Sequence, residues 1–242
     1  MRTEIARMLS GKGFLMATAI CIAAILFGIS WLKPTEPLEL GEFLNLEKNA
    51  LCSKVVCFLL PVTAVLPWSD SILIEWKGGF LKSSLPRMNR RIFTENKILT
   101  VALSGFLSWM VSGVVVLLLL FLMYFPFEKT GKIPVFMIWE PAAVLLRLGL
   151  IAAIVGSIGG ICAVISGSAY LAFGFPFVGY YFCIILQERY FPEAIWLYPP
   201  QWIVGSAGWG ENKEGLWLFL LLFLAVVVGL HGSILYEKLD EL

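Results

Sequence analysis

The chain has 242 residues, of which 59% are hydrophobic, 14% aromatic and only 14% charged, and its mean hydropathy is +0.86. A soluble domain is roughly 45–50% apolar, so this composition excludes an ordinary water-soluble globule and points to a bilayer as solvent. A formal net charge of +1 says nothing about an ionic partner, and no nucleic-acid partner is expected.

Residues 1–13 are amphipathic, with Ile5 and Met8 on one side and Arg2, Glu4 and Arg7 around the rest, the pattern of a helix lying in a membrane interface. Six apolar runs follow: about 14–31, 54–74, 99–125, 142–165, 169–187 and 217–236. Each approaches the ~20 residues a membrane-spanning helix needs. The runs are continuous rather than alternating, which argues against a membrane β-barrel. Pro61 and Pro67 interrupt the second run, and Gly174 and Pro176 the fifth, breaks that membrane helices tolerate where neighbours re-satisfy the backbone. The first run follows Arg2, Arg7 and Lys12 as a signal peptide would, but it ends in Ile-Ser-Trp-Leu-Lys-Pro without a small-x-small cleavage site, so it is expected to be retained. The predicted fold is all-α and polytopic, one membrane domain over residues 1–242.

Charge is distributed unevenly around these runs. With the N-terminus on the cytoplasmic side, the inner segments hold ten Lys/Arg and six Asp/Glu, and the outer segments seven and ten. This follows the positive-inside rule and predicts a multi-pass protein with both termini cytoplasmic. Most of the excess lies in the 75–97 loop, EWKGGFLKSSLPRMNRRIFTENK, which carries six Lys/Arg and two Glu. One reading makes the loop a topology signal that also touches anionic headgroups. A sharper reading rests on its pattern: Leu73, Trp76 and Phe80 share a helical face with Leu81 and Leu85 beside it, while Lys77, Lys82 and Ser84 point elsewhere. Pro86 stops this helix and Asn89 is placed to cap the next.

In its order, the apolar span, the segment LLPVTAVLPWSDS and the charged loop resemble the second span, cytoplasmic loop and start of the third span in permease subunits of type-2 ATP-binding-cassette (ABC) exporters, a bacterial six-span family. The recurrent acidic, Gly, Arg, Arg/Lys, aromatic and Lys positions of that loop are matched by Glu75, Gly79, Arg87, Arg91, Phe93 and Lys97. The amphipathic start is similar to the family's interfacial helix, and YLAFGFPFVGYYFCIIL followed by LYPPQWI to its Pro-containing fifth span and short re-entrant segment. The resemblance implies a coupling helix between spans two and three that docks on a separate ATPase dimer. Trp76 and Phe80 would be its apolar anchors, and Lys77, Lys82, Arg87, Arg90 and Arg91 would meet acidic partner groups or lipid phosphates. It further implies a second permease subunit, identical or paralogous, with Phe175, Pro176, Phe177 and Tyr180 as candidates for the dimer contact or pathway. ATP and Mg would belong to the partner, because this chain contains no G-x-x-x-x-G-K-[S/T] loop.

Other chemistry finds few parts. There is no H-E-x-x-H, no G-x-S-x-G and no persuasive Cys/His spacing, so no catalytic, cofactor or metal site is expected. Asp70 is read mainly as a helix cap, Arg147 as a snorkelling side chain with Glu140 or Glu188 as candidate partners, and the lone His231 as a packed residue. Five cysteines read as small packed residues, with only Cys52 and Cys57 open to pairing. Gly156 and Gly160 form a G-x-x-x-G, taken as the seam of a hairpin between the fourth and fifth spans. The expected function is a permease subunit that exports a hydrophobic or amphipathic substrate. The alternatives are a secondary transporter or channel working without an ATPase, a membrane-embedded enzyme, and a regulatory or assembly subunit without a pore.

Overall fold

The computed structural model describes residues 2–32, 38–79, 89–129, 131, 133–205, 208–210 and 213–240. Among these the chain is all-helical: α1 (Arg2–Leu9), α2 (Lys12–Ser30), α3 (Glu42–Leu51), α4 (Lys54–Val65), α5 (Ser71–Lys77), α6 (Arg90–Tyr124), α7 (Val135–Ser166), α8 (Ala169–Arg189), α9 (Pro199–Val204) and α10 (Glu214–Asp240), with short 3₁₀ turns at Phe125–Phe127 and Ile195–Leu197. Five of the helices are long and apolar enough to cross a membrane: α2, α6, α7, α8 and α10.

The long helices turn large apolar residues outward, and their inward faces mix small and aliphatic residues with hydroxyls and aromatics such as Ser104, Ser108 and Trp109 of α6 and Tyr180 of α8. On α2 the buried set is Phe14, Ala17, Cys21, Ala24, Ile25 and Gly28, a 3.6-residue stripe, while Leu15, Met16 and Phe27 are exposed. Exposed apolar faces of this kind suit lipid. The exception is α7, which is mostly buried and packs against α3, α4, α5, α6, α8, α9 and α10. Its glycines explain how one helix accepts so many neighbours. A Cβ on Gly156 would lie 2.9 Å from the Ala64 carbonyl oxygen of α4, one on Gly159 3.0 Å from that of Ala172 on α8, and one on Gly160 2.4 Å from the His231 ring of α10. The G-x-x-x-G expected to seal the α7–α8 hairpin therefore serves α4 and α10, and Gly159 between them meets both α8 and, at Val65 2.9 Å away, α4. The hairpin turns at Gly167, whose φ of +63° favours a residue without Cβ.

Residues 54–74 differ from the single span expected. The helix breaks after Val65, near Pro67, and restarts at Ser71. Pro67 has no amide hydrogen to donate, and at the break the Ser69 hydroxyl donates to the Gly156 carbonyl, 3.0 Å away. Nonetheless the segment runs the length of α2: Gly28 packs on Ser53, and Gly13 on the Leu66 carbonyl. Preceding it, residues 42–51 form an amphipathic helix where a loop was expected. The Glu128 carboxylate, beyond the far end of α6, caps that helix by accepting from the Gly41 and Phe43 amides at 2.8 and 2.9 Å. A bend of 60° joins α3 to α4.

A second difference concerns length: helix α7 begins at Val135, well before its apolar run. Helix α6 begins at Arg90 and runs through Arg91 and Lys97 into the third apolar run, as the Asn89 cap led one to expect. Asn89 caps α6 as anticipated, its side chain accepting from the Arg91 amide at 3.0 Å. Asp70 stands at the N-cap position of α5, but its side chain makes no capping bond.

Candidate functional site

The residues drawn from the charged loop meet at one end of the bundle, at the foot of α6. Glu75 is placed by α5 and Lys97 by the second turn of the helix that Asn89 caps. Both are buried, 5% and 1% exposed. Lys97 Nζ donates to Glu75 Oε1 at 2.7 Å and to Glu4 Oε2 at 2.7 Å. From α1, Arg7 Nη1 donates to Glu75 Oε1 at 3.0 Å and to Glu4 Oε1 at 3.1 Å. Two carboxylates and two cations thus close a compact cluster that ties the interfacial helix, the stem of the loop and the foot of α6 into one unit.

Its energetics follow from its burial. Removing a lysine from water is expensive, and it is tolerated only when the charge is paired and its hydrogens are accepted. Lys97 has two carboxylates for this purpose, and the Phe93 ring lies 5.8 Å from its ammonium. Glu75 Oε2 is buried without a hydrogen-bond partner. A small apolar cluster of Ile72, Phe93, Ile98, Val164, Leu235 and Leu239 underlies this end of the bundle and brings the last turns of α10 against α5 and α6.

Beside the cluster is a shallow groove of about 300 Å³, lined by Leu73, Trp76, Lys77, Ile165, Gly167 and Lys238. It lies between α5, the α7–α8 turn and the end of α10. Trp76 is half-buried with Lys238 Nζ 6.0 Å from its ring centroid, a cation–π distance. Lys77 is exposed, and Gly79 adopts φ +71° with open space around it. Arg90 is exposed at the start of α6, and Arg91 donates from Nε to Glu95 at 3.1 Å on the same exposed face. Phe80, Leu81, Lys82, Ser84, Leu85, Pro86 and Arg87 lie outside the described residues. The described residues bring together Glu75, Phe93 and Lys97 from the loop pattern, and set Trp76 and Lys77 on the neighbouring surface.

The second set of candidates separates. On α8, Phe175 is exposed, whereas Pro176 and Tyr180 are buried inside the subunit. The Tyr180 hydroxyl lies 3.3 Å from Cys57 Sγ on α4, and Phe177 packs edge-on against Phe58 and obliquely on Tyr181. What α8 presents outward is a stripe of Leu171, Phe175, Val178, Phe182 and Ile185, with spacings of four and three that sequence reading passed over.

One other expectation is corrected, and the open question of the Cys52–Cys57 pair is answered. Arg147 does not snorkel: it is 3% exposed, and neither Glu140 nor Glu188 pairs with it, since Glu140 engages Lys48 and Glu188 accepts from the Tyr198 hydroxyl. Cys52 and Cys57 are free thiols, as are the other three cysteines. His231 is fully buried against Gly160, and among the described residues no group of three or more His, Cys, Asp or Glu side chains is placed to hold a metal.

The roles of Glu4 and Arg7 were missed in the sequence. They read there as the polar side of an interfacial helix, and no local spacing links residue 4 to residue 97. No protein-family model matches this chain, and no curated protein matches it.

Proposed function

We propose that this chain is the permease subunit of an ABC transporter, forming half of a translocation pathway and driven by a separate ATPase dimer that binds ATP and Mg. The observation that carries this reading is the Glu4–Arg7–Glu75–Lys97 cluster, built on the buried Lys97–Glu75 pair. A loop that served only as a topology signal needs charge on its surface. It does not need its stem locked by a buried ion pair to a long crossing helix and a part-buried one to α1. Such a lock makes the loop a lever: a force applied at Trp76 and Lys77 moves α1, α5 and α6 together, as rigid-body motion of packed elements.

On this reading the chain crosses the membrane six times, with α4 and α5 supplying the broken second crossing, and both termini face the cytoplasm. The Trp76 groove and the 80–88 segment receive the ATPase. A second permease subunit, identical or paralogous, packs on the exposed stripe of α8 that includes Phe175. The substrate is hydrophobic or amphipathic, and its direction of travel is outward, as in the exporters the loop resembles.

The experiment is purification of the tagged protein from its own cells in mild detergent, with mass spectrometry of what accompanies it. A stoichiometric Walker-type ATPase is expected, and Trp76→Ala with Phe80→Ala reduces its recovery at least tenfold while membrane insertion is unchanged. Recovery unaffected by the double substitution would refute the docking role, and absence of an ATPase from the folded protein would favour a transporter or assembly subunit that works without one.

A further inference from the structure

A second polar site lies near the other end of α7, about 20 residues or ~30 Å along the helix from Gly167. It is a cavity of about 350 Å³ lined by Lys48 and Cys52 below, Glu140 and Arg147 from α7, and Lys213 and Trp217 at the head of α10. That volume falls in the range of small-molecule sites. Three cations face it against one carboxylate among the described residues. Lys48 and Glu140 pair with each other at the rim, and among the described residues neither Arg147 nor Lys213 has an ion pair of its own.

Arg147 is what separates this cavity from a merely charged surface. Its guanidinium is almost wholly buried, and its one described hydrogen bond runs from Nε to the Ala143 carbonyl of its own helix at 3.2 Å. Nη1 is buried with no acceptor at all. An unpaired buried guanidinium costs several kcal/mol, so a fold retains one where something offsets that cost. The chain also makes room for it: a Cβ on Gly205 would lie 2.1 Å from Arg147 Nη1, and Gly205 adopts φ +63° at the end of α9. Lys213 is likewise held in a strained backbone, φ +59°, which directs it toward the cavity it lines.

The geometry points to an oxyanion site in this cavity, with Arg147 and Lys213 as the binding cations and a phosphate group, free or esterified on a lipid headgroup, as the ligand. A phosphate offers three acceptor oxygens and between one and two negative charges, which match a guanidinium fork and an ammonium. The apolar wall at Trp139 and Trp217 can take the stem of an esterified ligand. This inference stands whether or not the chain works with an ATPase.

The test uses the full-length protein in uncharged detergent, titrated by calorimetry with sodium phosphate at constant ionic strength, with dihexanoyl phosphatidic acid, and with dihexanoylglycerol as the neutral control. Saturable binding of a phosphate-bearing probe is expected, weakened about tenfold or more in both Arg147→Met and Lys213→Gln, because a hydrogen bond to a charged group contributes on the order of 1.5–3 kcal/mol. Binding of inorganic phosphate identifies the free ion as sufficient, and binding of phosphatidic acid alone identifies the headgroup ester. Lys213 is exposed, so its variant reports even if Arg147→Met fails to fold. No saturation by either phosphate probe, equal binding of the neutral control, or unchanged binding in Lys213→Gln would overturn the assignment.

Discussion

Lys97 concentrates the argument at the level of single residues. It is buried beside two carboxylates, so Lys97→Met leaves Glu75 and Glu4 sharing Arg7 alone in a poorly solvated corner. Breaking a buried pair from one side costs about 3–5 kcal/mol; because Arg7 remains, a loss near the lower end, about 3 kcal/mol, is expected in thermal unfolding of the detergent-solubilised protein. Adding Glu75→Gln to Lys97→Met should recover part of that loss, since the second change removes a charge the first stranded. A double variant less stable than Lys97→Met would mean that Glu75 is held by something other than this pair. The sequence made Glu75 and Lys97 visible as members of one pattern, but nothing in it showed that they touch. An ion pair spanning 22 positions has no periodic signature, and those linking Arg7 to Glu75 and Lys97 to Glu4 span 68 and 93.

The elements most legible in advance were the apolar ones, because burial in lipid demands continuous apolar runs and internally bonded helices. Their ends were harder to place. The start of α6 was legible from its Asn89 cap, and Phe93, Thr94, Lys97 and Ile98 face protein there; the start of α7 at Val135, seven residues before its apolar run, carried no such signal. Residues 42–51 looked like a loop because Glu42, Glu47 and Lys48 lower their mean hydropathy; the apolar face of Phe43, Leu44, Leu46 and Leu51 is evident only as a helix. Among the elements, α7 carries the tightest packing. Gly160→Ala places a methyl group against the His231 ring, and overpacking of this kind costs about 1–3 kcal/mol. In a double-mutant cycle read by melting temperature, His231→Ala should relieve that cost so that the pair loses less than the sum of the single changes. Strict additivity would place the strain elsewhere.

For the whole molecule, the contacts bring both described chain ends to one end of the bundle: α1 through Arg7 and Glu75, and α10 through Lys238 and Trp76. Cysteines introduced at Lys77, Ser166 and Glu237 of a protein otherwise free of cysteine should react with a membrane-impermeant maleimide from one side of the membrane, and a cysteine at Trp196 from the other. Labelling of Lys77 and Glu237 from opposite sides would be incompatible with this arrangement. The topology expected from sequence rested on charge counts in the segments between apolar runs and not on contacts.

The three glycines of α7 also restrict how this protein can change. Gly156 receives α4, Gly159 both α4 and α8, and Gly160 α10, and the directions in which they do so are fixed by the ~100° turn per residue of a helix. A substitution elsewhere on α7 disturbs one contact. A single residue inserted between Arg147 and Gly156 would rotate every docking position beyond it by a quarter turn or more relative to the cavity at Arg147. Helix α7 is therefore the register of the molecule: its sequence can drift at the edges, while its length between the two polar ends is held.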